Sequence, residues 1–315
     1  MVHNRKIQQI ADEVEKVIVG KREAVTMILI ALLSEGHILV EDVPGVGKTT
    51  LATAVAKAAG LISRRAQFTP DVMASDITGF TMFNKETNRF EYRSGLVMTN
   101  ILLADEINRA TPKTQSALLE AMEEQTVTVD GITHKLPNPF MVIATQNELG
   151  YVGTFPLPEA QLDRFMMKIS MGYPTIEQEI AVIAGRQHSD PLDSVIPICT
   201  KEEITAAIEN VREINIEPSV YKYIVELVAA TRTHQAVQLG ASPRASLALM
   251  RAAQSYAFLN NRDYVVPEDV MRMTPYVLPH RIRLSQEARI KHYDVMNVLR
   301  DVVKSVKPPF TRNGR

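Results

Sequence analysis

The chain has 315 residues, 45% hydrophobic and 23% charged, with a formal net charge of −1. This balance excludes a disordered, collagen-like or low-complexity chain, and it supplies no global basic field for nucleic acid or anionic membrane. One cysteine, Cys199, allows no intrachain disulfide framework or thiolate cluster, and the length suits about two domains with a core large enough to need no staples.

The opening segment, Met1-Val2-His3-Asn4-Arg5-Lys6 and the polar residues after it, does not read as a signal peptide. Ile7, Ile10, Val14 and Val17 recur at helical spacing and predict an amphipathic helix. Val25, Ile28, Leu29, Leu32 and Leu33 predict a second, with Gly36 as its stop. The most apolar run, Met27 to Leu33, is far short of the ~20 residues that cross a bilayer. The expectation is therefore a cytoplasmic protein without membrane insertion.

Ile38-Leu39-Val40 reads as a buried strand and leads through Val43-Pro44-Gly45-Val46-Gly47-Lys48-Thr49-Thr50 into a helix from about Thr49 to Ala59. Further apolar runs at 101–104, 140–144 and 165–169 alternate with helical stretches, which predicts a parallel sheet with helices on both faces. Two hairpins interrupt the pattern. One surrounds Asp130-Gly131 (about 126–135), and the other joins Phe80–Phe83 to Arg89–Tyr92. After Pro174 the texture changes. Thr200-Lys201-Glu202-Glu203 is a capping box, and Ser242-Pro243 and Pro267 open further helices with no strand alternation between. The expected division is an α/β core over 1–174, with the two hairpins as inserts, and a helical domain over 175–315.

Three motifs carry chemistry. In Gly45-x-Gly47-Lys48-Thr49, placed between strand and helix, backbone N–H groups and the helix N-terminus cradle phosphate. Lys48 reaches the β/γ-phosphates and the Thr49 hydroxyl ligates Mg²⁺. The general P-loop pattern has glycine five positions before Gly47, where this chain has Asp42. The run 101–104 ends in Asp105-Glu106. A strand end there sets Asp105 to hold Mg²⁺ and Glu106 to orient the water that attacks the γ-phosphate. Finally, 140–144 runs into Thr145-Gln146-Asn147, whose terminal amide suits holding that water from the other side.

The order of these motifs, with Asp105–Ala110, Pro156–Phe165 and Gly240–Ala245, resembles the MoxR family of AAA+ ATPases over about residues 1–300. The resemblance implies a P-loop AAA+ core with an all-α lid, ATP and Mg²⁺ as nucleotide and cofactor, and ATP hydrolysis between subunits of a homo-oligomeric ring, most often a hexamer. It makes Asn147 sensor 1, Arg164 an arginine finger acting in the neighbouring subunit, and Arg244 the sensor 2 arginine. It sets Val19 and Gly20 beside the adenine. Arg109 is a second candidate for contact across the seam. The 80–92 hairpin resembles the helix-2 insert of this clade, and the 126–135 hairpin the one before sensor 1. Relatives remodel or activate protein clients and work with proteins bearing von Willebrand factor A domains, so such a partner and a protein client are expected. A nucleic-acid motor and a nucleotide-gated scaffold with little turnover stand as alternatives. Near-neutral charge and the lack of an aromatic-plus-basic stripe oppose the first, and intact Glu106, Asn147 and Arg164 oppose the second.

His37, His134 and His188 show no metal-ligand spacing. From Arg272 to Arg315 there are ten Lys/Arg against three Asp/Glu, read as solvated helix faces in preference to a docking surface.

Overall fold

The computed structural model describes residues 2–43, 45–146, 154–187 and 190–309, so Pro44, Asn147 and His188 lie outside it. Two helices lead, α1 (Val2–Glu15) and α2 (Arg22–Leu33), followed by β1 (Ile38–Glu41) and α3 (Lys48–Ala58). Next come β2 (Ser63–Gln67), α4 (Ala74–Thr78), the hairpin β3 (Gly79–Asn84) and β4 (Arg89–Ser94), and β5 (Ile101–Asp105). Helix α5 (Pro112–Glu124) precedes the hairpin β6 (Thr126–Val129) and β7 (Ile132–Lys135), then β8 (Met141–Gln146), α6 (Glu159–Leu162) and β9 (Met167–Ile169).

Five strands form one parallel sheet in the order β2-β5-β8-β1-β9. The middle strands are apolar up to their C-terminal ends, where Glu41, Asp105 and Thr145-Gln146 stand, because both faces are covered. Alternate residues feed two cores. Leu39, Leu102, Ala104, Val142 and Ala144 pack with Leu118, Leu119 and Met122 of α5. Ile38, Val40, Ile101, Leu103, Met141 and Ile143 pack with α1, α2 and α3. The predicted strand 165–169 is shorter in the structure. Phe165 is held in a turn by Leu162, and pairing begins at Met167. Strand β2 was not anticipated, because an edge strand buries little and here Ala66 alone is buried. Asp130 and Gly131 both have positive φ, as a two-residue hairpin turn requires.

After β9 the chain is helical, with α7 (Ile176–Gly185), α8 (Lys201–Arg212), α9 (Pro218–Thr233), α10 (Pro243–Leu259), α11 (Pro267–Val277), α12 (Gln286–Ile290) and α13 (Val295–Ser305). One short antiparallel pair, β10 (Val237–Leu239) with β11 (Arg283–Leu284), ties α9 to the segment after α11. It is too short to leave an alternating pattern. The apolar faces of α8–α11 join the same core as α1–α3. Asn4 donates to the carbonyl of Phe258, and Gln8 to that of Leu259 at 2.6 Å.

A second seam is polar. Arg281, nearly fully buried, donates to Asp163 Oδ1 at 2.7 Å and to the carbonyls of Phe165 and Met166. Ser242 Oγ donates to Asp163 Oδ2 at 2.8 Å. Much of the basic stretch is paired: Arg272 with Glu23, Arg281 with Asp163, Arg283 with Glu159 and Lys291 with Glu287. No helix among the described residues is long and apolar enough to cross a membrane.

Candidate functional site

A cleft of about 710 Å³ opens where β1 and β5 end and α3 begins. Gly45 and Gly47 have φ of +87° and +92°, the left-handed region that a side chain resists. Gly47 is the N-cap of α3 and makes no side-chain cap bond, and the first turn of that helix lines the cleft, the end of a helix suited to phosphate. Gly45, Val46, Gly47, Lys48, Thr49 and Thr50 all line the cleft. Lys48 Nζ donates to the carbonyl of Asp42 at 3.0 Å. Burial lowers its pKa, while Asp42, Asp105 and Glu106 pull it back up. A partly desolvated ammonium aimed into a cleft is suited to binding phosphate oxygens.

Across from the loop stand the two acids. Thr145 Oγ1 donates to Asp105 Oδ1 at 2.6 Å and accepts the Glu106 N–H at 2.9 Å, so one hydroxyl of β8 fixes both. Arg65 pairs with Asp105 Oδ2 at 2.7 Å. Glu106 Oε2 accepts from Gln67 at 3.0 Å and from Arg109 at 2.8 Å. Glu106 has φ of +58°, a conformation uncommon outside glycine and asparagine. It turns the chain sharply out of β5 and leaves the carboxylate on the cleft wall. Thr49 and Asp105 offer hard oxygen donors on the same cleft, the donor chemistry that Mg²⁺ takes when phosphates and water complete its shell.

The far wall holds Val17, Ile18, Val19 and Lys21 with Tyr173, Pro174, Glu179, Val182, Ile183 and Arg186. Val19 is thus part of the cleft wall. Gly20 lines an adjoining cavity of about 440 Å³, and a Cβ on it would strike Gln178. Val43 lies off the cleft, its N–H returned to Asp42 Oδ1 at 3.0 Å. Arg164 and Arg244 also lie off this cleft. They sit together elsewhere, both on Glu123: Arg164 at 3.1 Å from Oε2, and Arg244 on Oε1. Arg109 rests on Glu106 of its own chain.

Arg65, Gln67, Tyr173 and the α7 residues were not among the sequence candidates. Two signals pointed to α7, the capping box Thr175-x-x-Gln178 and the spacing of Ile176, Ile180 and Ile183. Gln67 and Arg65 carry no local signal, since a polar edge strand resembles a loop.

Comparison with known proteins agrees with this architecture. The family model described as "ATPase family associated with various cellular activities (AAA)" matches residues 37–167, and that of the AAA lid domain matches 229–302. The chain is 50% identical to the uncharacterized protein YeaC of Bacillus subtilis, covering 96% of this chain and 95% of that one. It is 40% identical to Chaperone MoxR1 of Mycobacterium tuberculosis (94% and 81%) and 32% identical to Protein MoxR of Methylorubrum extorquens (94% and 93%). The crystal structure of a candidate ATPase from Cytophaga hutchinsonii superposes with a TM-score of 0.91 at 40% identity, covering 98% of this chain and 96% of that one.

Proposed function

The chain belongs to the MoxR family of AAA+ ATPases, and from that premise we propose that it hydrolyses Mg²⁺-ATP at the seams of a homo-oligomeric ring, six-membered, to remodel protein clients as a chaperone. A von Willebrand factor A-domain protein is the proposed partner. The reading is supported above all by one observation: the phosphate loop and Asp105-Glu106 share a cleft from which Arg164 and Arg244 are absent.

The roles follow from charge and reach. Lys48 and the α3 N-terminus bind the β/γ-phosphates in the ground state. Thr49 and Asp105 would hold Mg²⁺, which would supply charge neutralisation at the phosphates. Glu106 orients the attacking water and takes up its proton. Gln67 and Arg109, both donating to its Oε2, hold the carboxylate on the cleft wall. Arg164, set away from its own chain's cleft, neutralises transition-state charge on the neighbour's nucleotide, with Arg244 beside it. Asn147 is assigned the other side of the water, and Val19 with Gly20 the adenine end.

The test is complementation. Arg164→Ala and Lys48→Ala subunits are each inactive alone. Mixed, some seams join an intact phosphate loop from the first to an intact Arg164 from the second, and turnover returns. An arginine finger is worth about 10³–10⁵ in rate, so a minority of repaired seams stands above background. Mixed rings that form without regaining turnover refute a role for Arg164 across the seam.

A further inference from the structure

Arg164 and Arg244 come from different parts of the chain, one after α6 and one in the first turn of α10, yet they meet on a single carboxylate. Glu123 lies at the end of α5 and gives one oxygen to each guanidinium. Arg164 also donates to the carbonyl of Leu119, one turn back on the same helix, at 2.7 Å. Arg164 and Glu123 are about a third exposed and Arg244 is 42% exposed. The trio carries a net charge of +1 and faces outward.

We infer that Glu123 is a positioning residue that aims Arg164 and Arg244 together at the phosphates of a neighbouring subunit; this rests on the seam reading above. Two guanidiniums close enough to share one carboxylate repel each other, and each carries about 2 kcal/mol of rotamer entropy. Left alone they would splay apart. A carboxylate between them offsets the repulsion and presents the planar fork of each arginine as a phosphate would.

The backbone beneath is already fixed. Asp163, adjacent to Arg164, bonds both Arg281 and Ser242, and Ser242 is two residues before Arg244. Asp163 therefore sets the distance between the two arginine backbones, and Glu123 sets the direction of their side chains. Groups that act mainly in the transition state need such preorganisation, because a misplacement of about 1 Å can cost 10²-fold in rate.

The experiment places Glu123→Gln on one side of the seam at a time. In the reference mixture, Lys48→Ala subunits donate arginines and Arg164→Ala subunits donate phosphate loops. Adding Glu123→Gln to the arginine donor is expected to lower the rescued kcat by about ten- to a hundred-fold, with KM for ATP unchanged. Added to the loop donor, whose arginine pair is already broken, it is expected to leave the rescued rate where it was. That asymmetry cannot arise from damage to the fold, because the same substitution sits in both mixtures. Equal losses on the two sides, or none on either, overturn the proposal. So does an arginine donor that no longer enters the ring by sedimentation, since Glu123 would then be an assembly contact. A reference mixture that shows no rescue removes the seam reading itself, and this proposal with it.

Discussion

The carboxylate of Asp42 accepts the backbone N–H of Gly172 at 2.9 Å, joining the start of the phosphate loop to the turn after β9. The same Oδ2 atom accepts the Met171 N–H at 2.6 Å, and Lys21 Nζ caps the carbonyls of Met171 and Tyr173 at 2.6 and 2.9 Å. Two side chains thus satisfy the turn that carries Tyr173 and Pro174 to the cleft wall. This is what the chain gains by departing from glycine at position 42.

Asp42→Gly would restore the general P-loop pattern and yet destabilise the protein. Losing the buried carboxylate leaves the Met171 and Gly172 amides without their acceptor, at about 1–3 kcal/mol for each group that stays buried. A lower urea midpoint for both Asp42→Gly and Asp42→Ala is expected. A midpoint at or above that of the parent would contradict the role.

Lys48→Ala should abolish nucleotide binding, whereas Glu106→Gln should keep it and lose turnover. Lys48 supplies ground-state charge, and Glu106 acts mainly in the transition state. Titration with a fluorescent ATP analogue separates the two. Equal loss of affinity in both variants would count against the division of roles.

Assembly should respond to nucleotide. If Arg164 and Arg244 reach a neighbour's nucleotide, ATP binds the ring better than the free subunit, and that difference in affinity shifts the balance toward the ring. Sedimentation of Glu106→Gln, which holds ATP unhydrolysed, should show larger species with ATP than without. An unchanged mass would sink the idea.

Acid should destabilise the fold through His37. Its ring is buried between the sheet and α5. Nδ1 accepts the Val142 N–H at 3.0 Å, and Nε2 donates to the Met122 carbonyl at 3.0 Å. Burial pushes its pKa down from 6.5 to about 4. The unfolded chain therefore binds a proton that the folded chain refuses between those values. Stability is unaffected above pH 6.5 and falls as pH drops toward 4, by up to about 1.4 kcal/mol per pH unit. His280, also pushed down by burial and by Arg281, adds in the same direction. Denaturant melts across this range should lose part of their slope in His37→Gln. An identical slope would exclude His37 as a source.

The central strands β1, β5 and β8 were legible because each is covered on both faces and leaves an unbroken apolar run. The loop before α3 was legible because its left-handed backbone needs Gly45 and Gly47, and Lys48 follows them at the head of the helix. Strand β2 and its Arg65 and Gln67 were hidden by their edge position. Arg164 and Arg244 were each placed by resemblance, but their shared partner was not. Glu123 lies 41 residues before one and 121 before the other. No periodicity links such positions, and only the closure of the lid on Asp163 brings them together. Asn147, read as the third element of the site, lies outside the described residues.

The junction of α1 with α10 has a consequence for how the protein is made. Asn4 and Phe258 are 254 residues apart, and the apolar faces of α1 and α2 are finished by helices from the last third of the chain. At about 5–20 residues per second, a ribosome needs roughly 13–50 s to synthesise that interval. For that time the emerging N-terminal helices carry an unfinished apolar face, a surface for chaperone capture or premature association. A nascent chain halted before α10 should remain protease-sensitive at α1, and one released after α11 should not.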